Sequence, residues 1–164
     1  MAPSNLELAY FQEQLIFTQK MEKVLHYSFQ KVKPVIELLE TNNGNAEISQ
    51  EQAEMLEALT ARFARLSDIL IQKLFRATDA LELTDEGSLI DRINRMEKRG
   101  IIKNAQEWLE LRKLRNQIAH DYVLEDLIPL YQSVFHQCKI LLSAVDAIVN
   151  YAAQKGWDSK PQNK

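Results

Sequence analysis

The stretch LRNQIAHDY, residues 114–122, gathers side chains that can do chemistry within nine residues. They are Arg115, Asn116, His120, Asp121 and Tyr122. Histidine titrates near neutral pH and can move protons in either direction, while the planar, permanently charged guanidinium of arginine matches the oxygens of a phosphate. Because RNA supplies its own nucleophile, the ribose 2′-OH, an imidazole and a guanidinium suffice to cleave it without a metal. The stretch therefore indicates phosphate chemistry.

A structural role is also open to each of these residues. Arg115 could form a salt bridge with Glu110 or Glu125. His120 could face the negative end of the helix dipole, and Tyr122 could pack in the core with its hydroxyl at the surface. The residue types alone leave catalysis and structure both open.

The helix that carries the stretch has a regular apolar face. Its members are Trp108, Leu111, Leu114 and Ile118. At about 100° per residue, Arg115 and His120 point about 140° apart on such a helix. The two groups therefore meet only if the helix breaks near His120, or if a second copy of the chain completes the site across a two-fold axis.

The segment from Asp91 to His120 has eight basic and four acidic residues, a net charge of +4 in a chain of net charge −3. The candidates for RNA contacts within it are Arg99, Lys103, Arg112 and Lys113. A basic strip on an acidic body suits a polyanionic ligand, and a solvated helix face with interspersed acids is the equally consistent alternative.

Composition limits the classes of protein to consider. The length of 164 residues fits one domain, which we assign to residues 1–156, with residues 157–164 as a disordered tail. A single cysteine, Cys138, excludes an internal disulfide, and the lack of a signal-like N-terminus predicts a cytoplasmic location. The sequence has no run of about 18 apolar residues, so it predicts no membrane-spanning helix. Without a Cys/His cluster we expect no metal site and no cofactor.

Helical periodicity and few glycines predict an all-α, up-and-down bundle of four to five helices. The predicted helices cover about 6–40, 49–81, 88–100, 104 through the LRNQIAHDY stretch, and 125–154. A capping box begins the second helix at Ser49, the stretch Ser88-Leu-Ile-Asp91 starts the third, and Asn104 caps the fourth. Pro34 is expected to kink or split the first helix.

The second helix has two apolar stripes, displaced by about 100°. One consists of Phe63, Leu66, Leu70 and Leu74, and the other of Ala64, Ile71 and Phe75. Such a helix is either central in the bundle or shared with another subunit, so a homodimer and a buried monomer helix are both open.

The motif Arg115-x4-His120-x-Tyr122 resembles the R-x4-H-x-Y signature of the HepT toxins, a branch of the HEPN superfamily. Arg115-Asn116 followed by His120 is also similar to the wider superfamily pattern. The resemblance extends from about Phe63 to Tyr122, through RFARLSDILIQKLFRA and the run that ends in LRNQIAHDY. The first and last helices are similar only in type.

The resemblance implies a small helical bundle that dimerises and acts as a metal-independent endoribonuclease, the toxin of a type VII-like toxin–antitoxin system. Arg115 would hold the scissile phosphate, His120 would be the acid and base, and Asn116 would assist. The products would be a 2′,3′-cyclic phosphate and a 5′-hydroxyl. Asp68 and Asp121 are possible supporting carboxylates. Asp68 could hold Arg115 or His120 in place, or be an ordinary surface aspartate.

The resemblance also implies a partner. An MNT-type nucleotidyltransferase antitoxin would transfer AMP to Tyr122, which places a bulky anion two residues from His120. The alternative is a non-catalytic helical module that docks a nucleotidyltransferase or a nucleotide. A purely structural scaffold is a third reading of the same residues.

Overall fold

The computed structural model describes residues 2–43, 45–120 and 127–158, which form a helical bundle. The helices are α1 (Asn5–Thr41), α2 (Gln50–Asp68), a π-helical segment (Ile69–Leu74), α3 (Phe75–Leu81), α4 (Leu89–Lys98), α5 (Ala105–His120) and α6 (Leu127–Lys155). Since α2, the π segment and α3 follow one another without a break, they form one rod. No strand occurs in these ranges, which confirms the predicted all-α fold class. Within them, no helix is long and apolar enough to cross a membrane.

The predicted helix starts are formed by local hydrogen bonds. Ser49 accepts from the backbone N–H of Gln52 at 3.1 Å and donates its own N–H to the Gln52 side chain at 2.9 Å. Ser88 and Asp91 form the same reciprocal pair at the start of α4. The Asn104 side chain accepts from two backbone N–H groups in the first turn of α5. These caps are set by residues three positions apart, so the sequence alone reveals them.

Pro34 does not split the first helix, contrary to that part of the prediction, because α1 continues from Asn5 to Thr41. Proline removes one backbone N–H, and it leaves the carbonyl of Gln30 without its usual helical donor. The side chain of Pro34 is exposed, whereas Val32, Val35 and Ile36 around it are buried in the core. We attribute the continuity of α1 to this buried face, which offsets the loss of one hydrogen bond.

The π segment explains the two apolar stripes of the second helix. The backbone N–H of Phe75 donates to the carbonyl of Leu70, five residues back instead of four. Such a turn contains one extra residue, so the side chains that follow are rotated by about 100°. Leu70, Ile71, Leu74 and Phe75 are all at most 2% exposed in a single chain. Ile71 and Phe75 of the second stripe therefore pack within the monomer, and their burial gives no reason for a partner subunit.

Helix α5 packs against α2, α4 and α6, and α4 also contacts α3. Its predicted apolar face is confirmed, since Trp108, Leu111 and Leu114 are buried and Ile118 packs at the edge of the core. The ring centre of Trp108 lies 5.1 Å from that of Phe75, the first residue after the π segment. This packing fixes the polar side of α5 beside the end of α2.

The helical domain extends beyond the predicted boundary at residue 156. Trp157 is buried, and its ring makes edge contacts with Phe11 at 5.3 Å and Tyr151 at 5.7 Å. Gly156, with a φ of +71°, reverses the chain after α6 and allows this return. Trp157 is therefore a core residue rather than the start of a tail, and residues 159–164 lie outside the described ranges.

Candidate functional site

Asp68, the last residue of α2, and Arg115 of α5 form a two-point ion pair. Arg115 Nε donates to Oδ1 of Asp68 at 2.7 Å, and Nη2 donates to Oδ2 at 2.8 Å. The hydrogen bonds to Asp68 raise the pKa of Arg115 above its ordinary value, so the guanidinium stays charged. A guanidinium has five N–H donors, and this pair uses two of them. Of the two partners predicted for Asp68, it contacts Arg115.

A surface cleft of about 420 Å³ lies beside this ion pair, between the end of the α2 rod and α5. It is lined by Ser67, Asp68, Ile71, Gln72, Arg112, Arg115 and Asn116. Arg112, Arg115 and Asn116 are three and four positions apart, so they share one side of α5. Two guanidinium groups and an amide thus border one cavity, an arrangement suited to binding an oxyanion.

Ser67 is a cleft residue that the sequence analysis missed. It is 1% exposed, and its hydroxyl has no hydrogen-bond partner. A buried hydroxyl normally finds a partner, so this one stands out beside a cavity. The signal in the sequence is a serine between Leu66 and Asp68 on the apolar side of a helix, which by itself is too common to indicate a site.

His120 is the last residue of α5 and is exposed. It does not belong to the lining of the cleft within the part of the chain that the structure describes. The structure thus brings Arg115, Asn116 and Asp68 together at the cleft, whereas His120, one turn beyond Asn116 on α5, does not line it. Asp121 and Tyr122 lie outside the described residues.

Arg99 is not available for the predicted RNA contact, because its guanidinium is already bound within the protein. Its Nη1 donates to Oδ1 of buried Asp79 at 2.6 Å, and its Nη2 donates to the Thr84 hydroxyl at 2.7 Å. Arg92 and Arg95 surround the same carboxylate. These three arginines account for much of the positive charge counted in this segment, and they serve the fold.

The other three RNA-binding candidates are on different surfaces. Lys103 borders a second cavity, of about 330 Å³, between the loop after α4, α5 and α6. Lys113 is exposed and pairs with Glu110 at 3.2 Å. Only Arg112 among the candidates lines the cleft that contains Arg115. The basic strip is therefore several separate surfaces, of which one is a candidate phosphate site.

Other reactive groups in the described residues do not form a second site. Among them no group of three or more His, Cys, Asp or Glu side chains is placed to hold a metal ion. Burial raises the pKa of Cys138 to about 12, so its thiol stays protonated and a poor nucleophile. The cleft beside Arg115 is the candidate functional site.

Comparison with known proteins assigns no family to the chain. No family model, curated protein or solved structure matches it. The features that bear on function are the cleft and the R-x4-H-x-Y motif at residues 115–122.

Proposed function

We propose that this protein is a metal-independent endoribonuclease, a HepT-like toxin that cleaves RNA at the cleft beside Arg115. The supporting observation is that Arg115 is held at two points by Asp68 and lines an open polar cavity. An arginine held in this way is oriented before a substrate arrives, which lowers the cost of binding the charge that develops in a transition state.

The proposed reaction is the attack of a ribose 2′-oxygen on the adjoining phosphorus. The P–O2′ bond forms and the P–O5′ bond breaks, which gives a 2′,3′-cyclic phosphate and a 5′-hydroxyl. A base takes the proton from the 2′-OH, and an acid gives a proton to the leaving 5′-oxygen. In this proposal His120 moves these protons, Arg115 and Arg112 neutralise the phosphate, and Asn116 donates to a phosphate oxygen.

Completing this site requires His120 to approach the cleft, and a homodimer is the proposed means. Arg115 and His120 lie on different sides of α5, so a two-fold axis near the end of this helix would place the imidazole of one copy at the cleft of its mate. The expected assembly is then a symmetric dimer with two cleavage sites.

The proposed regulation is adenylylation of Tyr122 by an MNT-type nucleotidyltransferase antitoxin. The modification would add an anion two residues from His120, where it competes with RNA for the arginines of the cleft. Co-expression with such an enzyme should add one or more AMP masses to the wild-type chain and none to Tyr122→Phe. Modification that persists in Tyr122→Phe contradicts the assignment of this tyrosine.

RNA cleavage in the presence of EDTA tests the nuclease directly. We expect wild-type protein to cut RNA with chelator present, and His120→Ala to lose this activity. The matched control is His136→Ala, because His136 is also exposed and lies on α6 in a pair with Glu40. Equal activity of the two variants contradicts the role of His120, and intact RNA with wild-type protein contradicts the nuclease.

One observation favours a second candidate, a non-catalytic module that binds a nucleotidyltransferase or a nucleotide. His120 is outside the cleft lining in the single chain, so Arg112, Arg115 and Asn116 could hold a phosphate without cleaving it. This candidate predicts binding of a nucleotide or of the nucleotidyltransferase by wild-type protein, with RNA left intact and with no loss in His120→Ala.

A further inference from the structure

A further groove adjoins the cleft along the rod formed by α2, the π segment and α3. It has a volume of about 260 Å³ and is lined by Glu7, Tyr10, Gln72, Arg76, Ala77 and Ala80. Gln72 borders both cavities, so this groove, which we call the flanking groove, lies next to the cleft along the rod. From Asp68 to Arg76 the rod rises by about 12 Å. A ligand longer than one phosphate group can therefore follow the rod from one cavity to the other.

The flanking groove presents an unpaired positive charge. Arg76 is exposed and forms no ion pair with any residue that the structure describes. Burial lowers the pKa of neighbouring Arg92, and the charge of Arg76 lowers it further against the attraction of Asp79. The two guanidinium groups thus repel one another, and an anion bound at Arg76 would relieve this repulsion.

Glu7, the acidic side chain in the lining, forms no ion pair with Arg76. The carboxylate of Glu7 accepts from both the backbone N–H and the hydroxyl of Ser4, each at 2.9 Å, in the capping box of α1. These hydrogen bonds lower the pKa of Glu7, so its carboxylate stays ionised, with Oε2 held at the start of the helix. Arg76 is the cation in this lining, and a phosphate would bind on its side of the groove, away from Glu7.

An aromatic ring completes the flanking groove. Tyr10 is 45% exposed on α1, and the small side chains of Ala77 and Ala80 border the same space. Proteins that bind single-stranded nucleic acid combine cations along the backbone with aromatic rings on which bases stack. An exposed tyrosine next to an unpaired arginine, in line with a phosphate-binding cleft, has this composition.

The unpartnered hydroxyl of Ser67 gives an independent reason to expect a ligand at the other end of this path. The hydroxyl is buried at the cleft wall with no partner in the protein. An oxygen or nitrogen of a bound nucleotide would satisfy it after a small rotation of the side chain. Ser67 at one end of the path and Arg76 at the other thus have no polar partner among the residues that the structure describes.

We infer that the flanking groove binds the nucleotide next to the scissile phosphate of a single-stranded RNA, with Arg76 on its phosphate and Tyr10 stacked on its base. This inference rests on the proposed function, since it takes the cleft beside Arg115 as the place of cleavage. It makes Arg76 a binding residue for substrates with more than one phosphate, and Tyr10 a binding residue for the base beside the scissile phosphate.

The test compares Tyr10→Ala and Arg76→Ala with two control variants, Tyr27→Ala and Lys139→Ala. Tyr27 is 59% exposed on the same helix but borders a different groove, and Lys139 is exposed on α6. Affinity is measured by fluorescence anisotropy with a short single-stranded RNA that carries 2′-O-methyl groups and resists cleavage. We expect Tyr10→Ala to lose roughly fivefold or more in affinity, as for a lost stacking contact. Arg76→Ala should reduce the slope of log affinity against log salt concentration by about one, as for the loss of one phosphate contact.

Cleavage of two substrates separates this inference from the nuclease proposal. Arg76→Ala should lower kcat/KM for an RNA oligonucleotide and leave it unchanged for a dinucleoside monophosphate, which has no second phosphate. Wild-type cleavage with all four variants equal on both RNAs overturns the flanking groove and leaves the nuclease standing. Binding that depends on Tyr10 and Arg76 without any cleavage supports the groove and overturns the nuclease. No measurable binding by wild-type protein overturns the groove.

Discussion

The same rod carries two aspartates that bind arginines, and the two sites differ in almost everything except these residue types. Asp79 on α3 is fully buried and accepts from Arg95 at 2.7 and 3.0 Å and from Arg99 at 2.6 Å, with Arg92 at 4.0 Å. Asp68 is 44% exposed and binds Arg115 alone. One site is closed, and the other opens on a cleft.

Burial decides what each pair of residue types can do. A buried carboxylate needs all of its partners, because an uncompensated charge in the interior is costly. The arginines around Asp79 therefore join α4 to α3 and have little left to offer a ligand. Asp68 is half in solvent and contributes little to stability, yet it orients Arg115 toward an open cavity. The less buried site is the better candidate for function.

Removing each carboxylate charge tests this contrast most strongly. Asp79→Asn should lower the free energy of unfolding by about 3–5 kcal/mol, because three arginines lose a buried partner. Asp68→Asn should change it by about 1 kcal/mol or less, since solvent screens the pair. Urea denaturation followed by circular dichroism measures both values. Equal losses would mean that the two sites are structural to the same degree.

Removal of Arg115 should have the next largest effect, on activity rather than on stability. We expect Arg115→Ala to lower kcat/KM for RNA by about 100-fold or more, as for the loss of a group that stabilises a developing charge. Arg95→Ala, the matched change at the closed site, should lower the melting temperature instead. Normal activity in Arg115→Ala would remove the basis of the proposed site.

Two neighbouring cations on α5 sharpen the comparison further. Arg112 lines the cleft, whereas Lys113 pairs with Glu110 at the surface. Arg112→Ala should weaken RNA binding and reduce the slope of log affinity against log salt concentration by about one. Lys113→Ala should leave both the affinity and this slope nearly unchanged. Titrations at several salt concentrations give both slopes. If Lys113→Ala has the larger effect, RNA lies on another face of α5.

Ser67→Ala should have the smallest effect, and its two consequences have opposite signs. Removing a buried hydroxyl without a partner should raise the free energy of unfolding by up to about 1 kcal/mol. The same change should weaken binding of the 2′-O-methyl RNA, because the ligand loses a hydrogen bond. Thermal denaturation and anisotropy measure the two effects on one sample. A loss of stability would show that the hydroxyl already has a role in the free protein.

The features that the sequence predicted are those governed by neighbours along the chain. The caps at Ser49 and Ser88 depend on residues three positions away, and the apolar face of α5 follows from its period. The contact between Asp68 and Arg115 joins residues 47 positions apart. It was one of two partners predicted for Asp68, and the sequence could not choose between them because side-chain pairing across helices depends on packing.

The features that the sequence did not reveal depend on the interior of the folded bundle. Nothing in the residue types separates Arg99, bound to Asp79, from Arg112, which lines the cleft. The isolation of the Ser67 hydroxyl depends on what its neighbours in space leave unfilled. Pro34 was expected to kink or split α1, and the buried residues around it explain why no split occurs. In each case burial, rather than local pattern, determined the outcome.

The π turn lies between the two aspartates, so it sets the angle between the directions in which they point. Substitutions within Ile69–Leu74 that keep its apolar character preserve this angle. Loss of a single residue there would turn α3 relative to α2 and carry Asp79 away from its arginines, even with every other side chain intact. At this point of the chain, length is under tighter constraint than composition.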